Sequence, residues 1–122
     1  MGRKHQQLDV WKDAIEVVTR IYRVSAGFPS DERFGLTSQI RRAAVSVPSN
    51  IAEGAARGST REYLRFLEIA RSSLVEMETQ IVIARQLEMA LADANLDETL
   101  DRLFARLSAL IKKLAAKEPT TS

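Results

Sequence analysis

The chain of 122 residues has no cysteine, which excludes a disulfide framework and thiolate metal sites and points to the cytoplasm. Five glycines and three prolines are few for the many turns of a sandwich or barrel, whereas a small set of long helices needs few turns. No apolar run approaches the roughly 18 residues that span a bilayer. The start MGRKHQQ offers neither a signal-peptide apolar stretch nor a hydroxyl at the sixth position for myristoylation, so no membrane association is expected. The only imidazole, His5, falls in a predicted frayed N-terminus, which removes a Ser-His site. No Glu-x-x-His motif is present for a carboxylate-bridged metal pair, and Gly54 and Gly58 flank Ala55-Ala56-Arg57 with neither a dinucleotide fingerprint nor a phosphate loop. The expectation is therefore no enzyme, no metal and no cofactor.

What is present is helical periodicity. With 45% hydrophobic residues, a chain of this length forms one domain that buries roughly two-thirds of its unfolded surface. Leu8, Trp11, Ile15, Val18 and Tyr22 make one stripe, and Val10, Ala14, Val17 and Ile21 make a second beside it. This arc is wider than a small bundle requires, so the second stripe is the candidate contact with another copy of the chain. The helix should stop near Ala26-Gly27, ahead of Pro29. Ser30, Asp31 and Glu32 read as the start of a second helix, whose pattern Leu36, Ile40, Ala43, Ala44, Val47, Ile51, Ala52, Ala55 runs across Pro48. Either this helix bends at Pro48, with Ser46 and Ser49 hydroxyls near the gap, or Pro48 opens a separate helix. Ser59-Thr60-Arg61-Glu62 is a capping box for a third helix reaching Met89. Asn95 with Glu98 caps a fourth, where Leu96, Leu100, Leu103, Leu107, Leu110 and Leu114 form a heptad seam and Lys112, Lys113 and Lys117 sit at the carbonyl end. The fold class predicted is all-α, an antiparallel up-down-up-down four-helix bundle over residues 8–117, with disordered tails at 1–7 and 118–122.

The formal charge of +2 is too small by itself to indicate a polyanion partner, but its distribution is uneven. Arg33 to Arg71 holds seven basic and three acidic residues, and Glu76 to Asp101 holds seven acidic residues against Arg85. Arg57, Arg61 and Arg65 recur every four residues and, with Arg41 and Arg42, are candidate phosphate contacts. The alternative is a solvated face in which nearby Glu62 and Glu68 pair with those arginines. Trp11, Tyr22, Tyr63 and Phe66 fit core or interface stripes better than stacking platforms. Asn50, Glu53 and Arg57 share a helix face suited to a local polar network. Glu76 and Glu78 cannot share a face, so one of them turns inward or toward a neighbour, with Arg41 or Arg42 as its cationic partner.

The segment Phe34-Gly35-Leu36, followed by Gln39-Ile40-Arg41-Arg42-Ala43-Ala44-Val45-Ser46-Val47-Pro48-Ser49-Asn50-Ile51-Ala52-Glu53-Gly54, resembles the signature of the four-helix-bundle proteins encoded in intervening sequences of bacterial 23S ribosomal RNA genes. Leu8-Asp9-Val10-Trp11-Lys12, Phe66-Leu67-Glu68-Ile69-Ala70 and Glu76-Met77-Glu78-Thr79-Gln80 are similar to its flanking blocks, while Ser72 stands where that family usually has glycine. On this likeness Pro48, Ser49, Asn50, Glu53, Gly54, Glu76 and Glu78 are signature positions. The resemblance implies a homo-oligomer, a pentameric barrel, related to the accessory variability proteins of diversity-generating retroelements, which assist a reverse transcriptase and bind nucleic acid through a basic surface. The function expected is presentation of repeated arginines to RNA or DNA. The competing expectation is a scaffold for a protein partner, without nucleic-acid contact.

Overall fold

The computed structural model describes residues 8–89 and 91–118. The expected tails, and His5 with them, fall outside the described residues except for Glu118. Four helices, α1 (Asp9–Ser25), α2 (Leu36–Ala55), α3 (Thr60–Gln86) and α4 (Leu96–Ala115), account for the regular structure, with a 3-10 turn at Ser30–Glu32 and no strand among the described residues. Each helix packs on two others: α1 on α2 and α4, α3 on α2 and α4, with α2 and α3 sharing the longest seam.

The core corrects the reading of α1. Val10, Ala14, Val17 and Ile21 are buried inside the single chain, the last three completely, so they are not available to a neighbouring copy. Ile15 and Tyr22, from the other stripe, are 40% and 42% exposed. Two stripes one residue apart differ by only about 100° around the axis, and both satisfy the helical period. The docking of α2 and α4 chooses between them. The far end of α4 shows a related drift, because Ile111 is buried while Leu110 and Leu114 are half-buried. A strict heptad slips around a straight helix by about 20° per repeat, which brings residue 111 under the stripe instead of 110.

The helix ends also depart in part from expectation. Ser30 caps nothing; the Glu32 carboxylate instead accepts the Leu36 N–H at 2.9 Å and starts α2 there. The helix then runs unbroken through Pro48. The Ser46 hydroxyl bonds Ser73 at 2.8 Å and accepts from Asn50 Nδ2 at 2.9 Å, tying α2 to α3 rather than serving the proline gap. Ser59 does cap α3, accepting the Glu62 N–H at 3.2 Å, but the Glu62 carboxylate turns to Arg65 instead of closing the box. At the other end α3 stops at Gln86. Glu88 takes a left-handed conformation at φ 58°, its N–H reaching the Arg85 carbonyl and the Met89 N–H reaching the Ala84 carbonyl. That pair of bonds is the Schellman closure that usually uses glycine. Asn95 makes no side-chain cap; its carbonyl accepts the Thr99 hydroxyl at 2.8 Å.

Three features lock the elements. Gly54 lies where α2 and α3 approach so closely that an added Cβ would sit 2.8 Å from Phe66 Cβ and 3.0 Å from Tyr63 Cδ1. Between α1 and α4, Arg106 reaches Asp13 at 2.7 Å and Arg102 reaches Glu16 at 3.6 Å. Arg20 binds both oxygens of Asp93 at 2.8 and 2.9 Å. Burial pushes the Asp93 carboxyl up, but the Arg20 bond, the Asn95 N–H and the charges of Arg20 and Arg23 together hold it below its ordinary value.

Candidate nucleic-acid interface

An open cleft of about 630 Å³ lies where the end of α1 meets the connection to α2 and that helix's first half. Its floor and walls follow from local structure. The Glu32 cap and the 3-10 turn leave Arg33 and Phe34 no place in a helical stripe, and Phe34 projects outward, 85% exposed, with the Arg33 guanidinium 4.7 Å from its ring centroid. Arg41 is held inward: Nε donates to Ser25 Oγ at 2.7 Å, Nη2 donates to the Tyr22 carbonyl at 3.2 Å, and the guanidinium lies 4.5 Å from the Tyr22 ring centroid. It thereby places a cation at the carbonyl end of α1, where the helix dipole favours one. Arg42, one residue on, is exposed and makes no ion pair or hydrogen bond among the described residues. Thr37, Ser38 and Ser46 add hydroxyls, Val45 adds an apolar wall, and among the described residues no carboxylate lines the cleft. Thr37 and Ser38 belong to the first turn of α2, so the positive pole of that helix also opens here.

The arginines around the α2–α3 connection are arranged differently. Arg57 pairs with Glu53 at 2.6 Å and Arg65 with Glu62 at 3.3 Å. Both also sit against the Phe66 ring, 4.8 and 4.6 Å from its centroid. Arg61 is exposed and carries no ion pair among the described residues. The structure thus divides the five sequence candidates: Arg41 and Arg42 line the cleft, while Arg57, Arg61 and Arg65 lie outside it. Arg33 and Phe34 were missed. Their signal was an arginine–phenylalanine pair outside every helical stripe.

The signature positions resolve into structural roles and two unpaired acids. Pro48 and Gly54 are buried, and Ser49 is exposed. The expected Asn50–Glu53–Arg57 network separates, because Asn50 donates to the Ser46 carbonyl at 2.8 Å and leaves Glu53 to Arg57 alone. Neither Glu76 nor Glu78 forms the expected ion pair with Arg41 or Arg42. Arg41 is committed to α1, and Glu76 is exposed in a shallow neighbouring hollow that it shares with Arg42 and Ser46. Glu78 is half-buried beside α4; burial first, then repulsion from Asp101 and Asp97, raises its carboxyl above the ordinary value. The missed factor is helix rotation, which turns residues 76 and 78 toward different surroundings.

Among the described residues no group of three or more His, Cys, Asp or Glu side chains is placed to hold a metal ion, and no helix is long and apolar enough to cross a membrane. No curated protein matches the chain. The family model for the 23S rRNA-intervening sequence protein matches residues 6–115, nearly the whole bundle with both walls of the cleft, and the chain belongs to that family.

Proposed function

We propose that the protein is a non-enzymatic, cytoplasmic, antiparallel four-helix bundle that assembles with copies of itself, five as the family resemblance implies, and binds nucleic acid without a cofactor. The observation that carries this reading is the cleft between α1 and α2, lined by Arg33, Arg41 and Arg42 and by no carboxylate of the described residues. Cations that form no ion pair among the described residues are available to phosphate, and each phosphate they neutralise releases counterions. One copy offers few such contacts; symmetry repeats them, and several weak contacts then act with avidity. Assembly is supported by Val75, Val82 and Phe104, which are 49%, 56% and 37% exposed along α3 and α4. These side chains replace the α1 stripe as the candidate subunit contact. The same apolar surface favours the second reading, a scaffold that receives a protein partner.

Fluorescence anisotropy with a labelled structured RNA and a labelled DNA, at two salt concentrations, separates the readings. Salt-sensitive binding that Arg33→Glu with Arg42→Glu abolishes, in samples of equal size by light scattering, is the expected result. No binding even at low salt removes the nucleic-acid reading and leaves the scaffold.

A further inference from the structure

Phe34 is the most exposed large apolar side chain among the described residues, at 85%. It is not on a loose segment. The Glu32 N–H bonds the Pro29 carbonyl at 2.9 Å, the Arg33 N–H bonds the Ser30 carbonyl at 3.1 Å, and the Gly35 N–H bonds the Glu32 carbonyl at 2.9 Å. The Glu32 carboxylate then fixes the first amide of α2. The backbone on both sides of the ring is therefore held, and the phenyl group is presented to solvent at the mouth of the cleft with a guanidinium against it. At the α2–α3 connection, by contrast, the aromatic ring near arginines is a packing element: Phe66 is half-buried and its arginines are paired with glutamates. At Phe34 the ring meets only the Arg33 guanidinium and stays exposed, and Arg42 makes no ion pair or hydrogen bond among the described residues.

An exposed π face on a held backbone, beside cations without ion pairs, recognises a flat, anionic, aromatic ligand. In a nucleic acid that description fits a nucleotide whose base is free to leave its neighbours and stack on the ring. A duplex keeps its bases stacked on one another and presents only phosphates to such a cleft. We propose that the cleft takes an unpaired nucleotide within a single-stranded segment, with its base on Phe34 and flanking phosphates on Arg33 and Arg42. This rests on the nucleic-acid reading above. Arg41 acts as a positioning residue that holds α1 against α2 and adds its charge to the cleft.

The test is anisotropy with a labelled oligo(U) strand and a labelled blunt RNA duplex of equal length, at two salt concentrations. Wild type is compared with Phe34→Ala and Phe34→Tyr, with circular dichroism and light scattering on each sample. The expected result is tighter binding of the strand than of the duplex, a loss of roughly ten-fold for the strand in Phe34→Ala, little change for the duplex, and recovery in Phe34→Tyr. Equal affinity for both probes, unaffected by Phe34→Ala, overturns the stacking inference while nucleic-acid binding stands. A Phe34→Ala sample that scatters as a smaller particle and loses affinity for both probes alike overturns it in favour of a contact between copies. Absence of salt-sensitive binding to either probe removes this inference together with the reading it rests on.

Discussion

Two arginine regions of this bundle have similar compositions and different surroundings. Around the α2–α3 connection, Glu53 and Glu62 stand three or four residues from Arg57 and Arg65, so the helix itself supplies these two cations with an anion each, while Arg61 between them has no ion pair among the described residues. In the cleft between α1 and α2, Arg33 and Arg42 have no such carboxylate, and the nearest acid in sequence, Glu32, is engaged with the Leu36 amide. Counting arginines along the chain treats the two regions alike. What distinguishes them is whether the i±3 and i±4 neighbours and the adjoining helix leave the charge unmatched.

If the connection is structural and the cleft binds, the largest stability change should come from Gly54. Gly54→Ala forces a Cβ against Phe66 and Tyr63, and the expected loss is about 1–3 kcal/mol in denaturant titration. Affinity of the folded fraction should be unchanged; a fall in affinity at unaltered stability would break the division between the regions. Charge changes sharpen it from the other side. Arg33→Glu with Arg42→Glu should lower affinity at least about ten-fold at low salt and flatten the salt dependence. Glu53→Gln with Glu62→Gln, which releases Arg57 and Arg65, should raise affinity by a smaller factor and steepen it.

A control at a residue that lines neither the cleft nor the α2–α3 connection is Glu88, whose left-handed backbone suits glycine. Glu88→Gly should add about 1 kcal/mol to unfolding free energy with binding unaltered. The smallest effects concern pH, and they have opposite signs. The raised Glu78 carboxyl binds its proton more readily in the folded state than in the unfolded chain. Stability from this group therefore rises as pH falls from neutral through its raised value, and Glu78→Gln should remove that rise. The lowered Asp93 carboxyl contributes stability above its unfolded value and loses it as pH falls toward its folded one. Asp93→Asn should flatten that acid loss. Thermal midpoints measured from pH 7 to pH 3 check both.

Much of the fold was legible because helical period and helix ends are local. The apolar period of α2 on both sides of Pro48, the Ser59 cap and the Leu96, Leu100, Leu103, Leu107 stripe all follow from spacing and from the chemistry of neighbouring backbone groups, whereas spacing left open whether Pro48 interrupts the helix. Less of the candidate site could be read. Arg41 and Arg42 were visible as a basic pair, but their separate roles depend on Ser25 and Tyr22, sixteen and nineteen residues from Arg41. Phe34 escaped because an aromatic outside a stripe has no periodic signal, and its exposure depends on how the turn before α2 is tied.

The sequence by itself determined four helices, one apolar core and an uneven distribution of arginine, because each is set by residues within a few positions of one another. Only the tertiary structure decided which α1 stripe faces inward, which arginines keep an unmatched charge and where Phe34 stands. Those outcomes depend on the rotation of each helix against its neighbours, and the energy that fixes that rotation is the burial of all four apolar faces together.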